Sequence, residues 1–234
     1  IAATPASFAA LAQQVRWSDV EFISDVPGKY EMQVRLDGGG RTSAALARLL
    51  QSAERRVVIQ SPYLVVSDEA LALLQQLRAR GVEVRINTNS LTSTDNLPAF
   101  SGYRSQRARL LAMGLRLYEY KPAPKVQQQL MQRLDVAPRI APIFSLHAKT
   151  MVIDGKAVYI GTFNLDPRSQ NLNTEVGVIV RDEDLAGTVE AAIETDMAPD
   201  NSWNAATDDP DAQASLAKRS KVRVYQWLPL RPLL

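Results

Sequence analysis

Residues 146–180 read LHAKTMVIDGKAVYIGTFNLDPRSQNLNTEVGVIV, and this stretch decides how the chain is expected to fold. Two strand-like runs, 146–153 and 157–160, flank the dipeptide Asp154-Gly155, which favours a tight hairpin turn. Residues 175–181 are rich in β-branched side chains and predict a further strand. This part of the chain is therefore expected to supply several strands of a sheet.

Upstream of this stretch, helical and strand patterns alternate. Helices are predicted over residues 44–55, 69–80 and 103–113, and strands over 57–60, 82–87 and 115–120. Gly81 and Gly114 follow the second and third of these helices, as helix-ending glycines do. A further helix is predicted over 184–197. The alternation predicts an α/β fold with a mixed, largely parallel sheet flanked by helices on both faces.

Three regions are expected along the chain. Residues 1–40 are predicted to be an entry or interdomain segment, with a short helix over 6–15 and a strand over 19–23. Residues 41–200 carry the alternating pattern, interrupted over 121–142 by a proline-containing excursion with one short helix. Residues 201–234 are predicted to be a polar loop, a strand and an apolar tail. Because the first residue is Ile1 rather than methionine, the chain is expected to be a piece of a longer protein.

Composition excludes several classes of site. The 27 basic and 25 acidic side chains leave a net charge of +2, which makes nucleic acid an unfavoured partner. The absence of cysteine excludes disulfides, thiolate nucleophiles and cysteine-ligated zinc. No apolar run approaches the ~20 residues needed to cross a bilayer. Neither a metal nor a cofactor is expected, because the single histidine stands beside a lysine and no acidic cluster offers an oxygen cage.

The single histidine, His147, stands two residues before Lys149. In a strand, residues two apart point to the same side, so the two side chains are expected to project together. A nitrogen nucleophile beside a fixed positive charge suits phosphoryl chemistry, because the cation holds the oxygens on which charge develops. Taken alone, the pair is equally compatible with an ordinary surface strand, and Asp154 with an ordinary hairpin turn.

The combination of short motifs favours the catalytic interpretation. HAKTMVID at 147–154 is followed by GTFN at 161–164, DPRS at 166–169 and NTE at 173–175. This order resembles the phospholipase D superfamily, whose signature is His-x-Lys-x4-Asp with a downstream Gly-Ser/Thr-x-Asn and a later acidic residue. Most of residues 17–180, including DVPGK at 25–29, is similar to the second catalytic half of the bacterial cardiolipin synthases within that superfamily.

The resemblance implies phosphatidyl transfer between phospholipid substrates through a phosphohistidine. His147 would attack phosphorus, and Lys149 would bind the phosphate oxygens together with Asn164 and the hydroxyl of Thr162, which stands where many relatives carry serine. Glu175 is the carboxylate expected to hold the proton on the other ring nitrogen of His147.

Four further residues receive weaker assignments. Asp154 is expected mainly to support the catalytic residues by shaping the hairpin. Arg168 is interpreted either as a structural residue or as a headgroup contact. Tyr63 and Asn89 follow predicted strands and are candidates for the substrate channel, since ligands of open α/β sheets bind at strand ends.

The partners implied by the resemblance follow from a missing second motif. Family members use two such halves, so the second is expected from an N-terminal part of a longer protein or from a homodimer mate, and the isolated chain is expected to be a poor catalyst. The implied setting is bacterial, peripheral on the cytoplasmic side of the inner membrane or cytoplasmic.

Two alternatives stay open. One is a homodimeric phosphodiesterase or nuclease of the same superfamily. The other is a non-catalytic lobe that docks on its partner half. The apolar tail, comprising Trp227, Leu228, Leu230, Leu233 and Leu234, favours an interface with that half or with a membrane surface, whereas Trp227 itself is expected to pack on the core.

Overall fold

A mixed eight-stranded sheet forms the centre of the protein. The computed structural model describes residues 15, 18–29, 39–133 and 142–228, so the helix predicted over 6–15 and the tail beyond Leu228 fall outside them. The strands are β1 (Asp19–Ser24), β2 (Arg56–Gln60), β3 (Glu83–Asn89), β4 (Arg116–Tyr120), β5 (Thr150–Ile153), β6 (Ala157–Gly161), β7 (Val176–Arg181) and β8 (Ser202–Asn204).

Helices connect and cover these strands. They are α1 (Arg41–Gln51), α2 (Asp68–Ala79), α3 (Leu97–Ala112), α4 (Lys125–Arg133), α5 (Pro167–Asn171), α6 (Glu183–Met197) and α7 (Leu216–Trp227), with a 3₁₀ turn at Pro210–Gln213. No helix of the described ranges is both long and apolar enough to span a membrane.

The strand order is β1-β7-β6-β5-β2-β3-β4-β8. Pairing is parallel between β2 and β3 and between β3 and β4, where helices α2 and α3 provide the crossovers. The other five pairings are antiparallel. The α/β class and the mixed sheet are confirmed, but the expectation of a largely parallel sheet is wrong. The reason is that a tight hairpin such as the one between β5 and β6 joins only antiparallel neighbours.

Helices cover both faces of the sheet, as predicted. In β2 the side chains of Val57 and Ile59 enter the larger core with helices α1, α2 and α3. Val58, on the opposite face, packs in a second core against Ala186 and Ile193 of α6. Alternate residues of one strand thus enter two separate cores, which explains the continuous apolar run over residues 57–59.

The C-terminal region differs from the sequence prediction. Residues expected to form a strand lie in α7, which Ser215 caps by accepting a hydrogen bond from the Lys218 backbone. Val222 is fully buried in the larger core, whereas Trp227 is 89% exposed and does not pack as expected. Helical spacing places Lys218, Val222 and Gln226 along one side of α7, and this tertiary packing overrides the β-propensity of the valines.

Candidate active site

The predicted site residues converge at one end of the central strands. β2 ends at Gln60, which pairs with Thr150, the first residue of the antiparallel strand β5. The segment before β5 and the segment after β2 therefore leave the sheet at the same end of these two strands. His147 and Tyr63 lie in these two segments, and ligands bind at such strand ends in open α/β sheets.

His147 and Lys149 lie in an extended segment that precedes β5, because the strand begins at Thr150 rather than at Leu146. The expectation that both side chains project together is met: Lys149 Nζ is 3.3 Å from His147 Nε2 and donates to the His147 carbonyl at 3.0 Å. An ammonium can only donate, so a hydrogen bond between these two groups requires the tautomer of His147 that carries its proton on Nδ1. The exposed imidazole thus presents Nε2 beside a cation.

Burial and nearby carboxylates shift the pKa of Lys149 in opposite directions. Burial lowers its pKa, while the carboxylates of Glu175, Asp166 and Asp95 raise it, and the net result is a pKa below the ordinary value for lysine. The three carboxylates therefore keep the ammonium from being neutralised as far as burial alone would take it.

Glu175 and Thr162 form a second part of the site. The Thr162 hydroxyl donates to Glu175 Oε2 and accepts from the Val176 backbone at 3.0 Å. Glu175 is only 3% exposed, so its carboxylate is directed by these fixed neighbours. Within the described residues Glu175 makes no hydrogen bond with His147, and its proposed action on the imidazole stays a prediction.

The GTFN turn that carries Thr162 rests on a buried tyrosine. Tyr159 Oη accepts from the Phe163 backbone at 3.2 Å, and burial raises the pKa of this phenol to about 12. A Cβ at Gly161 would overlap the same oxygen. The glycine of the motif is thus required by the close approach of the Tyr159 ring.

Tyr63, Asn164 and Arg168 are brought together, as the substrate-binding interpretation requires. They line a cleft of about 380 Å³ whose other walls are Asn96, Pro98, Ala99, Asp166 and Asn173. Asn164 Oδ1 is buried without a hydrogen-bond partner, so it has an unused acceptor position. Arg168 Nε donates to Asn173 at 3.3 Å, leaving other donors of the exposed guanidinium for a ligand.

Tyr63, one of the residues that line this cleft, is a hydrogen-bond donor. Burial and the neighbouring Asp95 carboxylate raise its pKa to about 12. Its hydroxyl donates to Asp95 Oδ1 at 3.1 Å. The phenol therefore stays protonated at neutral pH.

Asn89 has a different role from the one predicted. It is 1% exposed and therefore does not line a substrate channel. Its Oδ1 accepts from the Leu146 backbone at 2.8 Å, and its Nδ2 donates to the Leu146 carbonyl at 2.9 Å. Both hydrogen bonds hold the residue directly before His147, so Asn89 positions the histidine through the backbone.

Asp154 is far from the histidine. It ends β5 at the opposite end from His147, and four residues at roughly 3.3 Å each put about 13 Å between the ends of the strand. Its carboxylate accepts from the backbones of Glu54, Arg55 and Arg56, each at 2.8 Å. The Asp154 carboxylate therefore ties the hairpin to the start of β2, which agrees with the supporting role expected of it.

The Asp154 carboxylate is expected to contribute measurably to stability. Burial raises its pKa, but the three backbone hydrogen bonds outweigh burial and hold the pKa below its usual range. Asp154→Asn keeps a residue that tolerates the positive φ of 55° but replaces one acceptor with a donor. The free energy of unfolding should fall by about 1–3 kcal/mol.

Urea denaturation at several pH values checks this prediction. A depressed carboxyl pKa adds stability above the unfolded pKa of about 3.9, and that stability is lost as pH falls through the folded pKa. The difference between wild type and D154N should therefore narrow under acid conditions. Asp200→Asn, at a carboxylate that is 64% exposed, is the control. Equal stability of D154N and wild type at pH 7 would contradict the structural role.

One residue of the cleft escaped the sequence reasoning. Asp166 is 7% exposed and caps α5 by accepting from the Ser169 backbone at 2.6 Å. Burial raises its pKa. The signal was available, since Asp before Pro is a common helix start. Among the described residues, no group of three or more His, Asp or Glu side chains could hold a metal ion.

Comparisons with a family model and with curated proteins indicate the same family. A family model described as "Cardiolipin synthase, PLD-like domain" matches residues 46–197. Cardiolipin synthase C of Escherichia coli (strain K12) is 38% identical over 177 residues, covering 74% of this chain and 36% of its own. Cardiolipin synthase A of Pseudomonas aeruginosa (strain LESB58) is 31% identical over 156 residues, covering 67% and 27%. The chain spans about a third or less of these relatives.

Solved structures share the fold at low identity. Nuc from Salmonella typhimurium, a phospholipase D family member, superposes with a TM-score of 0.55 at 15% identity, covering 80% of this chain and 99% of its own. Phosphatidylserine synthase from Haemophilus influenzae Rd KW20 gives 0.56 at 13% identity, covering 88% and 44%. At sequence identities this low, the similarity shows a shared fold alone.

Proposed function

Because the chain belongs to the phospholipase D-like domain family of cardiolipin synthases, we propose that it transfers a phosphatidyl group between alcohols through a phosphohistidine at His147. The observation that carries the proposal is the Lys149 ammonium 3.3 Å from Nε2 of the exposed His147, just before the central strand β5. A nucleophilic nitrogen and a cation within one hydrogen bond of each other suit attack on a phosphodiester.

In the first step, the Nε2 lone pair of His147 attacks phosphorus. The bond from phosphorus to the leaving oxygen breaks, and the leaving alkoxide takes a proton from a general acid. In the second step, the acceptor alcohol gives its proton to that same group and attacks phosphorus. The phosphorus–nitrogen bond then breaks and frees His147. Lys149 holds the non-bridging oxygens in both steps.

Glu175 is proposed to stabilise the imidazolium that forms on His147. Its influence on the pKa of Lys149 supports this assignment, because it places a carboxylate near the histidine–lysine pair. The hydroxyl of Thr162 is a further phosphate donor once it turns from Glu175. A carboxylate such as Glu175, placed beside a catalytic histidine, fixes the tautomer of the imidazole and stabilises its charged form.

The cleft lined by Tyr63, Asn164 and Arg168 is proposed to take the polar part of the substrates. The unpartnered Asn164 Oδ1 suits a hydroxyl donor, and the exposed Arg168 guanidinium suits a phosphate. Tyr63 lines the same cleft.

The general acid is proposed to come from a second catalytic half, since this chain has one histidine. That half is either an N-terminal part of a longer protein or a second copy of this chain. The exposed Trp227 and Leu228 at the end of α7 suit contact with that half or a peripheral membrane surface on the cytoplasmic side of a bacterial inner membrane.

A transfer assay tests the proposal. With the second catalytic half supplied, as a dimer or in trans, vesicles containing a labelled phosphatidyl donor and an added short-chain alcohol should yield the phosphatidyl alcohol, with the rate unchanged by a chelator. Loss of activity with chelator and its return on adding metal would contradict the phosphohistidine scheme. Cleavage of single-stranded DNA without any lipid product would instead favour the nuclease alternative.

A further inference from the structure

A buried ion pair joins Asp25 to Lys29 ahead of α1. Lys29 Nζ lies 2.8 Å from Asp25 Oδ2, and the two side chains are 0% and 3% exposed for the aspartate and the lysine. Removing both charges from water costs several kcal/mol, so such a pair persists only where its remaining donors and acceptors are satisfied. The pair lies outside residues 46–197, the part matched by the family model.

The Lys29 ammonium has three hydrogen-bond acceptors, namely the Asp25 carboxylate and two backbone carbonyls that precede Glu175 in the sequence. Besides Asp25, the Lys29 ammonium donates to the carbonyls of Ser169 at 2.9 Å and Asn173 at 3.1 Å. All three of its hydrogens are therefore used. The Ser169 carbonyl lies in α5 and the Asn173 carbonyl lies between α5 and Glu175, so the lysine holds the chain that leads into that carboxylate.

Asp25 holds Glu175 directly. Asp25 Oδ2 accepts from the Glu175 backbone at 3.1 Å, and the Asp25 backbone donates to the Glu175 carbonyl at 2.9 Å. The Thr42 hydroxyl donates to the same carbonyl at 3.1 Å, while Asp25 Oδ1 accepts from the Thr42 backbone at 2.9 Å. Both backbone groups of Glu175 are thus committed to residues 25 and 42.

The packing around the pair leaves no room for adjustment. A Cβ on Gly40 would overlap the Asp25 carboxylate and lie 2.7 Å from Lys29 Cε. A glycine is therefore needed at this position for α1 to begin against the ion pair.

We propose that Asp25 and Lys29 are positioning residues, which hold Glu175 in the place from which its carboxylate acts on the site at His147. This inference rests on the proposed function, because it assigns Glu175 to the same reaction. It extends the working catalytic unit toward the N-terminus, to residue 25. A general stabilising role would instead leave the surroundings of His147 and Lys149 unchanged in any variant that still folds.

The test compares Lys29→Met with Lys156→Met, a matched change at an exposed lysine, in the whole chain. His147 is the single histidine, so its ring signals are identified directly by NMR. In K29M the His147 ring signals should move. The pKa of Lys149, followed through its ε-carbon, should fall, since a displaced Glu175 raises it less. Asp166 and Asp95 remain, and K156M should change neither signal.

A second variant covers the case in which K29M fails to fold. Asp25→Asn combined with Lys29→Met removes both charges and leaves no unpaired buried carboxylate, so the fold is expected to persist. The Glu175 backbone N–H loses its carboxylate acceptor, and the Ser169 and Asn173 carbonyls lose the ammonium that holds them. A folded variant, single or double, with wild-type His147 signals and an unchanged Lys149 pKa would overturn the proposal.

Glu175→Gln separates this inference from the proposed function. If E175Q lowers the Lys149 pKa and folded K29M does not, positioning by the ion pair is wrong, and the placement of Glu175 stands. If E175Q leaves phosphatidyl transfer unchanged, the role given to Glu175 in the reaction is wrong, whatever K29M does.

Discussion

Replacing His147 with alanine is expected to abolish phosphodiester turnover in any preparation that is otherwise active. The chain has no other histidine, and no cysteine could replace the nucleophile. Lys149 cannot substitute, because it must stay charged to hold the phosphate oxygens. Catalytic groups that act as a unit typically lose several orders of magnitude in rate when one is removed.

The measurement pairs the rate with the covalent intermediate. Wild type mixed with a labelled phosphatidyl donor should yield an acid-labile adduct on protein, and H147A should yield none. Lys156→Ala is the control, because this exposed side chain lies beside the Asp154 hairpin, at the opposite end of β5. H147A activity within tenfold of wild type would remove His147 from the mechanism.

The second large effect concerns the proposed second catalytic half. As a monomer, the 234-residue chain should fold yet show little or no phosphatidyl transfer. Departure of an alkoxide from a phosphodiester needs a proton donor on the side opposite the nucleophile, and the one imidazole present is the nucleophile. Two routes should restore activity: a homodimer that brings two copies of His147 together, or addition of the N-terminal half in trans.

Rate and mass measured together distinguish these routes. Light scattering gives the oligomeric state at each protein concentration used in the transfer assay. A rate per chain that rises with dimer content supports the homodimer, and a rise only with added N-terminal half supports the two-half protein. Full phosphatidyl transfer by a strictly monomeric chain would contradict both.

Local patterns were sufficient to predict several features. The spacing of His147 and Lys149 predicted two side chains that project together, and Nε2 and Nζ lie 3.3 Å apart. Asp154-Gly155 predicted the hairpin between β5 and β6, and the glycine-terminated helices predicted α2 and α3. These features depend on backbone preferences and side-chain periodicity over a few residues, which the amino-acid order carries by itself.

Roles that depend on distant partners could not be obtained in this way. Asp154 accepts from residues about a hundred positions earlier, and Asn89 positions Leu146 from 57 residues away. Residues 222–227 have β-propensity but form a helix, because Val222 is buried against the core.

By itself, the amino-acid sequence determined the chemistry of the candidate site, since a lone histidine beside a lysine, followed by the GTFN turn and Glu175, limits what the residues can do. The tertiary structure alone decided which of them meet and which residues hold them in place. Asn89 holds the residue before His147, and Asp25 holds Glu175, through hydrogen bonds between residues far apart in the sequence. The physical reason is that a buried polar side chain takes its partners from whatever the fold brings within about 3 Å, and chain order does not specify that neighbourhood.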